Sequence, residues 1–221
     1  MRGIFVTGTD TDVGKTRIAA ALARQLSAQG VTVVPRKPVE SGCGKSDGEL
    51  IPTDALALQL AADYAGELSE VCAYRFEAAL SPVRAARLSG KTVTIENLRR
   101  ACASGDENNF MLVEGAGGFY SPLAGDGLNA DLAESLLLPV LLVADDRLGC
   151  INQILLSAEA IANRGLQLAA IVLNATTPQA PTGMDNAQDL RELIDAPVYC
   201  VVYDPHGEAN LTGLCSRLLA L

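Results

Sequence analysis

A glycine-containing turn between a short apolar segment and an alanine-rich segment constrains the fold of this chain most. Residues 3–6 read GIFV, residues 8–16 read GTDTDVGKT, and residues 14–29 are rich in alanine and leucine. A strand that enters a helix through such a turn presents backbone N–H groups and the positive helix end to an anion. The sequence therefore predicts a phosphate-binding loop, in which Lys15 adds positive charge and the hydroxyl of Thr16 faces Mg²⁺.

The spacing within this loop departs from the common Walker A pattern. Five residues separate Gly8 from Gly14, where the pattern has four, and Thr9 stands at the position of the first glycine. The same residues also fit a plain helix start after a turn, with Lys15 in solvent. We favour the phosphate loop because the strand before it and the helix after it both match.

Length, charge and cysteine usage limit the class of protein. The 221 residues suit one α/β domain with a substantial core, so we predict a single domain over residues 1–221. A net charge of −9 argues against binding to nucleic acid and favours a small-molecule partner. Six cysteines without a C-x-x-C pair and a single histidine argue against a zinc site and a disulfide framework. With neither a signal peptide nor a membrane-spanning run, we expect a cytoplasmic location away from membranes.

A second apolar segment leads to a lysine. Residues 31–35 (VTVVP) predict a buried strand that runs into residues 36–42 (RKPVESG). Ligands of open α/β sheets collect at the carboxyl ends of the strands, so Lys37 and Ser41 should lie on the same rim as the phosphate loop. The alternative for Lys37 is a solvated lysine in a loop.

An aspartate at a predicted helix start has two possible roles. Residues 43–52 are polar and rich in glycine, which predicts a loop or flap near the site. A helix then runs from residue 55 to about residue 64, with Thr53 or Asp54 as its N-cap. Capping alone stabilises a carboxylate there by about 1 kcal/mol. Both capping and metal binding therefore remain open for Asp54.

A third segment delivers a carboxylate to the same rim. Residues 110–114 (FMLVE) predict a central parallel strand that ends at Glu114, and residues 115–118 (GAGG) follow. P-loop proteins use an acid in this place to hold Mg²⁺ beside a triphosphate. Glycine lets the backbone pass close to a ligand. The alternative is a tight turn after a buried strand, with Glu114 merely at its end.

The remaining segments complete an alternating pattern. Strands are predicted at residues 71–77, 139–145, 168–174 and 198–203, and helices at residues 82–88, 95–104, 152–161, 184–194 and 207–221. This alternation indicates an α/β fold with a doubly wound, mostly parallel sheet and helices on both faces. The helix start at residues 149–152 either holds an anion or is capped by Asn152 or a neighbour. Asn174, at a strand end, either begins a turn or contacts a base edge.

Five stretches together resemble the dethiobiotin synthetase family, in order and at compatible spacing. They are residues 8–16, 37–42 (KPVESG), 53–58 (TDALAL), 113–118 (VEGAGG) and 148–152 (LGCIN). The resemblance covers nearly the whole chain, and that family's phosphate loop has the longer form found here. It implies a P-loop fold and an ATP- and Mg²⁺-dependent enzyme of biotin biosynthesis. The implied reaction converts 7,8-diaminopelargonic acid and CO₂ to dethiobiotin, ADP and phosphate through a carbamate and a carbamic-phosphoric anhydride.

The same resemblance implies roles for individual residues. Lys15 would bridge the ATP phosphates and the carbamate, and Lys37 would neutralise charge at the reacting groups. Thr11 would be a catalytic residue together with these two lysines. Thr11 and Ser41 would contact the diamine or carbamate. Mg²⁺ would be bound by Thr16, Asp54 and Glu114. The nucleotide would contact Asp12, Val13, Gly14, Lys15, Thr16, Arg17, Asp54, Glu114, Gly115, Ala116, Gly117, Asn174, Tyr203, Asp204 and Pro205.

The resemblance also implies a homodimer. The substrate carboxylate of one subunit would be received by the helix start of its partner, at Gly149, Cys150, Ile151 and Asn152. The chain departs from the family at Gln153, where histidine is frequent, and at Tyr203, where proline is frequent. The second departure bears on recognition of the base.

Two other activities fit a P-loop protein of this size. A partitioning-type ATPase switch carries a signature lysine five residues before the Walker lysine, and this chain has Asp10 there. A small-molecule kinase would phosphorylate a stable hydroxyl acceptor and would not need bicarbonate.

Overall fold

Strands and helices alternate along the chain in a computed structural model that describes residues 2–103, 108–204 and 209–221. In order they are β1 (Gly3–Gly8), α1 (Lys15–Ala28), β2 (Val33–Arg36), β3 (Val39–Ser41), β4 (Gly44–Ser46), β5 (Glu49–Ile51), α2 (Thr53–Ala61), α3 (Leu68–Val71), β6 (Tyr74–Phe76), α4 (Pro82–Leu88), α5 (Ile95–Ala101), β7 (Phe110–Gly118), β8 (Pro122–Ala124), β9 (Gly127–Leu128), α6 (Asn129–Leu136), β10 (Val140–Asp145), α7 (Cys150–Asn163), β11 (Leu168–Asn174), α8 (Asn186–Leu193), β12 (Val198–Val201) and α9 (Thr212–Leu219).

The main sheet is parallel and carries the order β12-β11-β10-β1-β7-β2. Its central strands are continuous apolar runs because both of their faces are covered by other elements. The predicted α/β class and mostly parallel sheet are confirmed. In the register of β1 with β7, Val6 lies opposite Glu114. The loop after β1 and the carboxylate of β7 therefore emerge side by side.

Alternate residues of β1 belong to two hydrophobic clusters, one on each face of the sheet. Ile4 and Val6 pack in the cluster that contains Ile18 and Leu22 of α1. Phe5 points to the opposite face, into the cluster that contains residues of α4, α5, α6 and α7. This arrangement follows from the two-residue period of a strand, and it fixes the orientation of the rim where the polar residues lie.

The helix start near Asp54 differs from the sequence prediction. Helix α2 begins at Thr53, and Pro52 occupies the N-cap position without a side-chain cap. The prediction that Thr53 or Asp54 caps this helix is therefore wrong. Asp54 lies inside the first turn instead, which leaves its carboxylate free to contact other side chains.

Several short elements also differ from the sequence prediction. The predicted loop at residues 43–52 contains the antiparallel hairpin β4–β5. The predicted strand at residues 71–77 is confined to β6, because helix α3 extends to Val71. Helix α6 and the hairpin β8–β9 were not predicted. Of the described helices, none has the length and apolar character needed to cross a membrane.

Candidate active site

The loop between β1 and α1 has glycine at two positions where a side chain would clash with nearby atoms. Gly14 has a φ of 92°, and a Cβ there would lie 2.2 Å from Nδ2 of Asn174. A Cβ on Gly8 would lie 2.8 Å from the carbonyl oxygen of Asp10. Both positions therefore require glycine, one because of its left-handed backbone and both because of close approach. The residues of the longer loop, including Asp12 with a φ of 60°, bulge between these two glycines.

Lys15 crosses this loop. Its Nζ donates to the carbonyl oxygen of Asp10 over 2.7 Å, and the residue is only 7% exposed. Burial lowers the pKa of Lys15, and the nearby charge of Lys37 lowers this pKa further. The alternative of a plain helix start with Lys15 in solvent is therefore wrong.

Lys37 is the centre of a buried cluster of charges. The residue is 3% exposed, and its Nζ donates to Oδ2 of Asp54 at 3.0 Å and to Oε1 of Glu114. It also donates to the carbonyl oxygen of Gly115 at 3.3 Å. The hydroxyl of Thr16 donates to the same Oε1 of Glu114 at 2.8 Å. The alternative of a solvated loop lysine is thus wrong.

The charges of this cluster stabilise one another. Burial by itself would lower the pKa of Lys37, but the carboxylates of Glu114 and Asp54 outweigh burial and raise it. Burial would likewise raise the pKa of Asp54, but the ammonium of Lys37 outweighs it and lowers that pKa. Lys37 therefore stays cationic and Asp54 anionic near neutral pH.

The oxygen atoms near Lys37 suit Mg²⁺. Glu114 is almost fully buried, and its Oε2 has no hydrogen-bond partner among the described residues. A buried carboxylate oxygen without a partner is costly unless a cation or a donor satisfies it. Asp54 and the hydroxyl of Thr16 supply further oxygen donors beside it. Within the described ranges no three His, Cys, Asp or Glu residues cluster as ligands, so such an ion would also need phosphate or water oxygens.

Asn129 holds the glycine-rich segment that follows Glu114. It is completely buried at the start of α6. Its Oδ1 accepts from the amide of Ala116 at 2.9 Å, and its Nδ2 donates to the carbonyl oxygens of Ala116 at 2.7 Å and Gly118 at 3.1 Å. A Cβ on Gly115 would lie 2.4 Å from Oδ1 of Asn129. The segment therefore continues β7 to Gly118, and the predicted alternative of a tight turn is wrong.

A cavity of about 800 Å³ opens over the phosphate loop and the Lys37 cluster. Of the predicted site residues, its walls include Thr11, Asp12, Gly14, Lys15, Thr16, Lys37, Ser41, Asp54, Glu114, Ala116 and Gly117. Residues of the wall that were not predicted are Glu40, Ala79, Leu80, Ser81, Pro82, Ser121 and Pro122. For three of these residues the sequence offers their position as the only signal. Glu40 lies between Lys37 and Ser41, and Ser81 and Pro82 lie at the start of α4.

Asn174, one of the predicted base-binding residues, contacts the backbone of the phosphate loop and a side chain of the first turn of α1. Nδ2 of Asn174 donates to the carbonyl oxygen of Val13 at 3.0 Å, and its Oδ1 accepts from Nη1 of Arg17 at 2.8 Å. The other terminal nitrogen of Arg17 donates to the carbonyl oxygens of Val202 and Asp204 at 3.4 and 3.5 Å. Tyr203, between them, is half-exposed. Pro205 lies outside the described residues.

The predicted carboxylate site at residues 149–152 is apart from the cavity wall. Gly149 is the N-cap of α7 with a φ of 88°, so Asn152 is not the cap of this helix. Cys150 is buried, and burial raises the pKa of its thiol. Leu148, just before this helix start, is 78% exposed.

A parallel sheet with this loop after its first strand and a carboxylate at the end of a neighbouring strand defines a P-loop nucleotide-binding protein. A family profile described as "AAA domain" matches residues 2–206. The signal recognition particle receptor FtsY of Elizabethkingia anophelis has a similar fold, with a TM-score of 0.50 at 15% identity. That similarity covers 98% of this chain and 65% of the receptor chain.

Relatives with much higher identity define the family more closely. The ATP-dependent dethiobiotin synthetase BioD of Anaeromyxobacter dehalogenans (strain 2CP-C) is 44% identical over 223 residues, which cover 100% of this chain and 98% of the relative. The protein of the same name from Ruthia magnifica is 40% identical, and 90% of each chain is covered. That from Pseudomonas paraeruginosa is 43% identical over 89% of this chain and 87% of the relative. The chain belongs to the ATP-dependent dethiobiotin synthetase family.

Substitution Asn129→Ala should lower the free energy of unfolding by about 1 to 2 kcal/mol, because it leaves half-buried backbone groups of Ala116 and Gly118 without the partners that Asn129 supplies. Chemical denaturation measures this change. Asn163→Ala, at an exposed position near the end of α7, is the control and should change it by less than about 0.5 kcal/mol. Equal stability of the two variants would contradict the role of Asn129.

Proposed function

We propose that this protein closes a cyclic urea, converting 7,8-diaminopelargonic acid, CO₂ and ATP to dethiobiotin, ADP and phosphate. The observation that carries the proposal is the pair of buried lysines on one cavity wall, Lys15 on the phosphate loop and Lys37 between two carboxylates. The relatives named ATP-dependent dethiobiotin synthetase support the same assignment.

The reaction requires alignment and charge neutralisation rather than a protein nucleophile. One amine of the substrate attacks the carbon of CO₂ and loses a proton, which gives a carbamate. A carbamate oxygen then attacks the γ-phosphorus of ATP, and the bond to the bridging oxygen of ADP breaks. Finally the second amine attacks the carbamate carbon, phosphate leaves with that carbamate oxygen, and the amine loses a proton. Each step gathers anionic oxygens that fixed cations stabilise.

The two lysines are suited to different parts of this reaction. Lys15 begins α1 at the end of the phosphate loop, so its ammonium would contact the ATP phosphates and the carbamate. Lys37 directly follows β2, which β7 separates from β1 in the sheet, and its fixed positive charge would neutralise the transferred phosphoryl group. A charge already held by its neighbours needs little reorganisation during the reaction.

Thr16, Asp54 and Glu114 would bind Mg²⁺ with the ATP phosphates. A bound Mg²⁺ supplies charge neutralisation at the phosphate oxygens and aligns them for transfer. Oε2 of Glu114, which has no hydrogen-bond partner among the described residues, and the neighbouring hydroxyl of Thr16 support this assignment. Because Lys37 contacts both carboxylates, its ammonium would lie close to the metal and the transferred group.

The diamine would occupy the cavity, and the base would lie beside Asn174, which is not part of the cavity wall. Thr11 and Ser41, both on the cavity wall, would contact the diamine or carbamate. Asp12, Val13, Gly14 and Arg17 of the loop and α1, and Gly115, Ala116 and Gly117 after β7, would contact the nucleotide. Asn174 with Tyr203, Asp204 and Pro205 would contact its base. The contact of Asn174 with Arg17 supports this last placement, because Arg17 also reaches the backbone of residues 202 and 204.

A homodimer would complete the substrate site. The helix start at Gly149, Cys150, Ile151 and Asn152 lies outside the cavity wall and would receive the substrate carboxylate from a partner subunit. We further propose that residues 1–221 form one domain and that the enzyme acts in the cytoplasm.

ATP consumption should depend on both the diamine and bicarbonate, and the product should be a cyclic urea. Mass spectrometry of the reaction mixture with each component omitted in turn checks this expectation. The same assay with a panel of nucleotides tests the base site. A phosphorylated acceptor formed without bicarbonate would favour a small-molecule kinase instead.

The variant Lys37→Ala should lower kcat by about 10²-fold or more, because it removes fixed charge at the transferred group, and it should leave nucleotide binding measurable. Steady-state kinetics and calorimetric titration with ATP measure the two effects. Lys91→Ala, at an exposed position, is the matched control and should behave as the unaltered protein. Normal turnover of Lys37→Ala would contradict the proposed role.

Glu114→Gln should raise the Mg²⁺ concentration needed for tight nucleotide binding by about tenfold, equivalent to ~1.4 kcal/mol. The amide keeps the shape of the side chain but loses the anionic oxygen. Titration of a non-hydrolysable ATP analogue at several Mg²⁺ concentrations measures the effect. Glu96→Gln, on the exposed face of α5, is the control. An unchanged Mg²⁺ titration would remove Glu114 from the metal site.

A further inference from the structure

Glu40 is a buried carboxylate in the cavity wall to which the reaction assigns no part. It lies on β3, three residues after Lys37, and is 5% exposed. Burial raises the pKa of its carboxyl group, and two backbone amides oppose that effect. A buried carboxylate needs hydrogen-bond partners, and the partners of Glu40 indicate its structural role.

Both oxygens of Glu40 accept from the first turn of α2. Oε1 accepts from the amide of Asp54 at 3.1 Å, and Oε2 accepts from the amide of Ala55 at 3.0 Å. These amides have no partner within the helix, and a side chain at the N-cap usually accepts from them. Pro52 occupies the N-cap of α2 and provides no such side-chain acceptor. Glu40 therefore caps this helix from fourteen residues away in sequence.

The same short segment of chain holds Asp54 in two ways. Nζ of Lys37 donates to Oδ2 of Asp54, while Glu40 accepts from the backbone amide of that residue. The segment is itself fixed, because the amide of Lys37 donates to the carbonyl oxygen of Val71 at 2.8 Å. One contact sets the direction of the Asp54 carboxylate, and the other sets the position of its backbone.

We propose that Glu40 is a positioning residue that acts through Asp54. By accepting from both amides at the start of α2, it places the Asp54 carboxylate where it meets Lys37, Thr16 and the bound nucleotide. This inference rests on the proposed function, in which Asp54 binds Mg²⁺. Because both of its carboxylate oxygens accept from amides of α2, Glu40 itself would touch neither the metal nor the reacting atoms.

A cap that serves only the helix would have a different signature. Its loss would lower thermal stability and leave Mg²⁺-dependent nucleotide binding as it was. Thr94 offers the comparison, because its hydroxyl accepts from the amide of Asn97 and caps α5, which contributes no residue to the cavity wall. Thr94→Ala should lower the melting temperature alone.

The test compares Glu40→Ala, Glu40→Gln, Asp54→Ala and the double variant Glu40→Ala/Asp54→Ala with Thr94→Ala. Binding of a non-hydrolysable ATP analogue is titrated with and without Mg²⁺, in the absence of the diamine, and melting temperatures are recorded. Glu40→Ala should weaken binding in Mg²⁺ about tenfold and leave binding without Mg²⁺ unchanged. The affinity of Glu40→Gln in Mg²⁺ should lie between those of the unaltered protein and Glu40→Ala, because its side chain retains one acceptor oxygen. This milder variant also allows the measurement if Glu40→Ala does not fold.

The double variant decides whether Glu40 acts through Asp54. Glu40→Ala should add nothing to the loss of Mg²⁺-dependent binding in the Asp54→Ala background, because coupled residues are not additive. An undiminished additional loss there would overturn the proposal, and so would a Glu40→Ala or Glu40→Gln variant that loses only melting temperature. If Asp54→Ala alone leaves Mg²⁺-dependent binding intact, Asp54 does not bind the metal, and the proposed function of this residue is wrong. If Asp54→Ala weakens that binding and Glu40→Ala does not, only the positioning role of Glu40 is wrong.

Discussion

The contact of the Lys37 ammonium with two carboxylates is the interaction on which the rest of the site depends. A charge removed from water costs several kcal/mol unless partners replace its hydration. Lys37 is nearly fully buried and finds Glu114 and Asp54, which come from β7 and α2. Strand β7, helix α2 and the segment that carries Lys37 must therefore meet in one arrangement, and in it Oε2 of Glu114 has no hydrogen-bond partner among the described residues.

The sheet register brings this cluster to the phosphate loop. Val6 of β1 lies opposite Glu114 of β7, so the loop that follows β1 begins beside the carboxylate, and Thr16 of α1 reaches it. Asn129 then holds the backbone after Glu114 open to the cavity. Parallel strands with polar residues at their carboxyl ends thus bring Lys37 and Glu114 to one rim beside the phosphate loop. Membership of the dethiobiotin synthetase family gives that site its chemistry.

Local patterns were enough to predict the phosphate loop, the parallel sheet and the placement of Lys37 and Glu114 on one rim. Each of these depends on a short apolar strand followed by a few characteristic residues. The role of Glu40 was not predictable, because a cap supplied from fourteen residues away leaves no periodic signal. Asn129 was missed for the same reason, since its partners lie in another element. The hairpin β4–β5 was missed because each of its strands has only three residues, too few to show an alternating pattern.

In the proposed reaction the γ-phosphoryl group of ATP passes to a carbamate oxygen and not to water. The oxygen atoms of the released phosphate distinguish the two acceptors when the enzyme turns over ATP, the diamine and unlabelled bicarbonate in ¹⁸O-labelled water. Phosphate is collected before bicarbonate exchanges with the solvent. We expect phosphate without solvent oxygen, because its fourth oxygen comes from CO₂. One ¹⁸O atom in each phosphate would show attack by water and would rule out the carbamate as the acceptor.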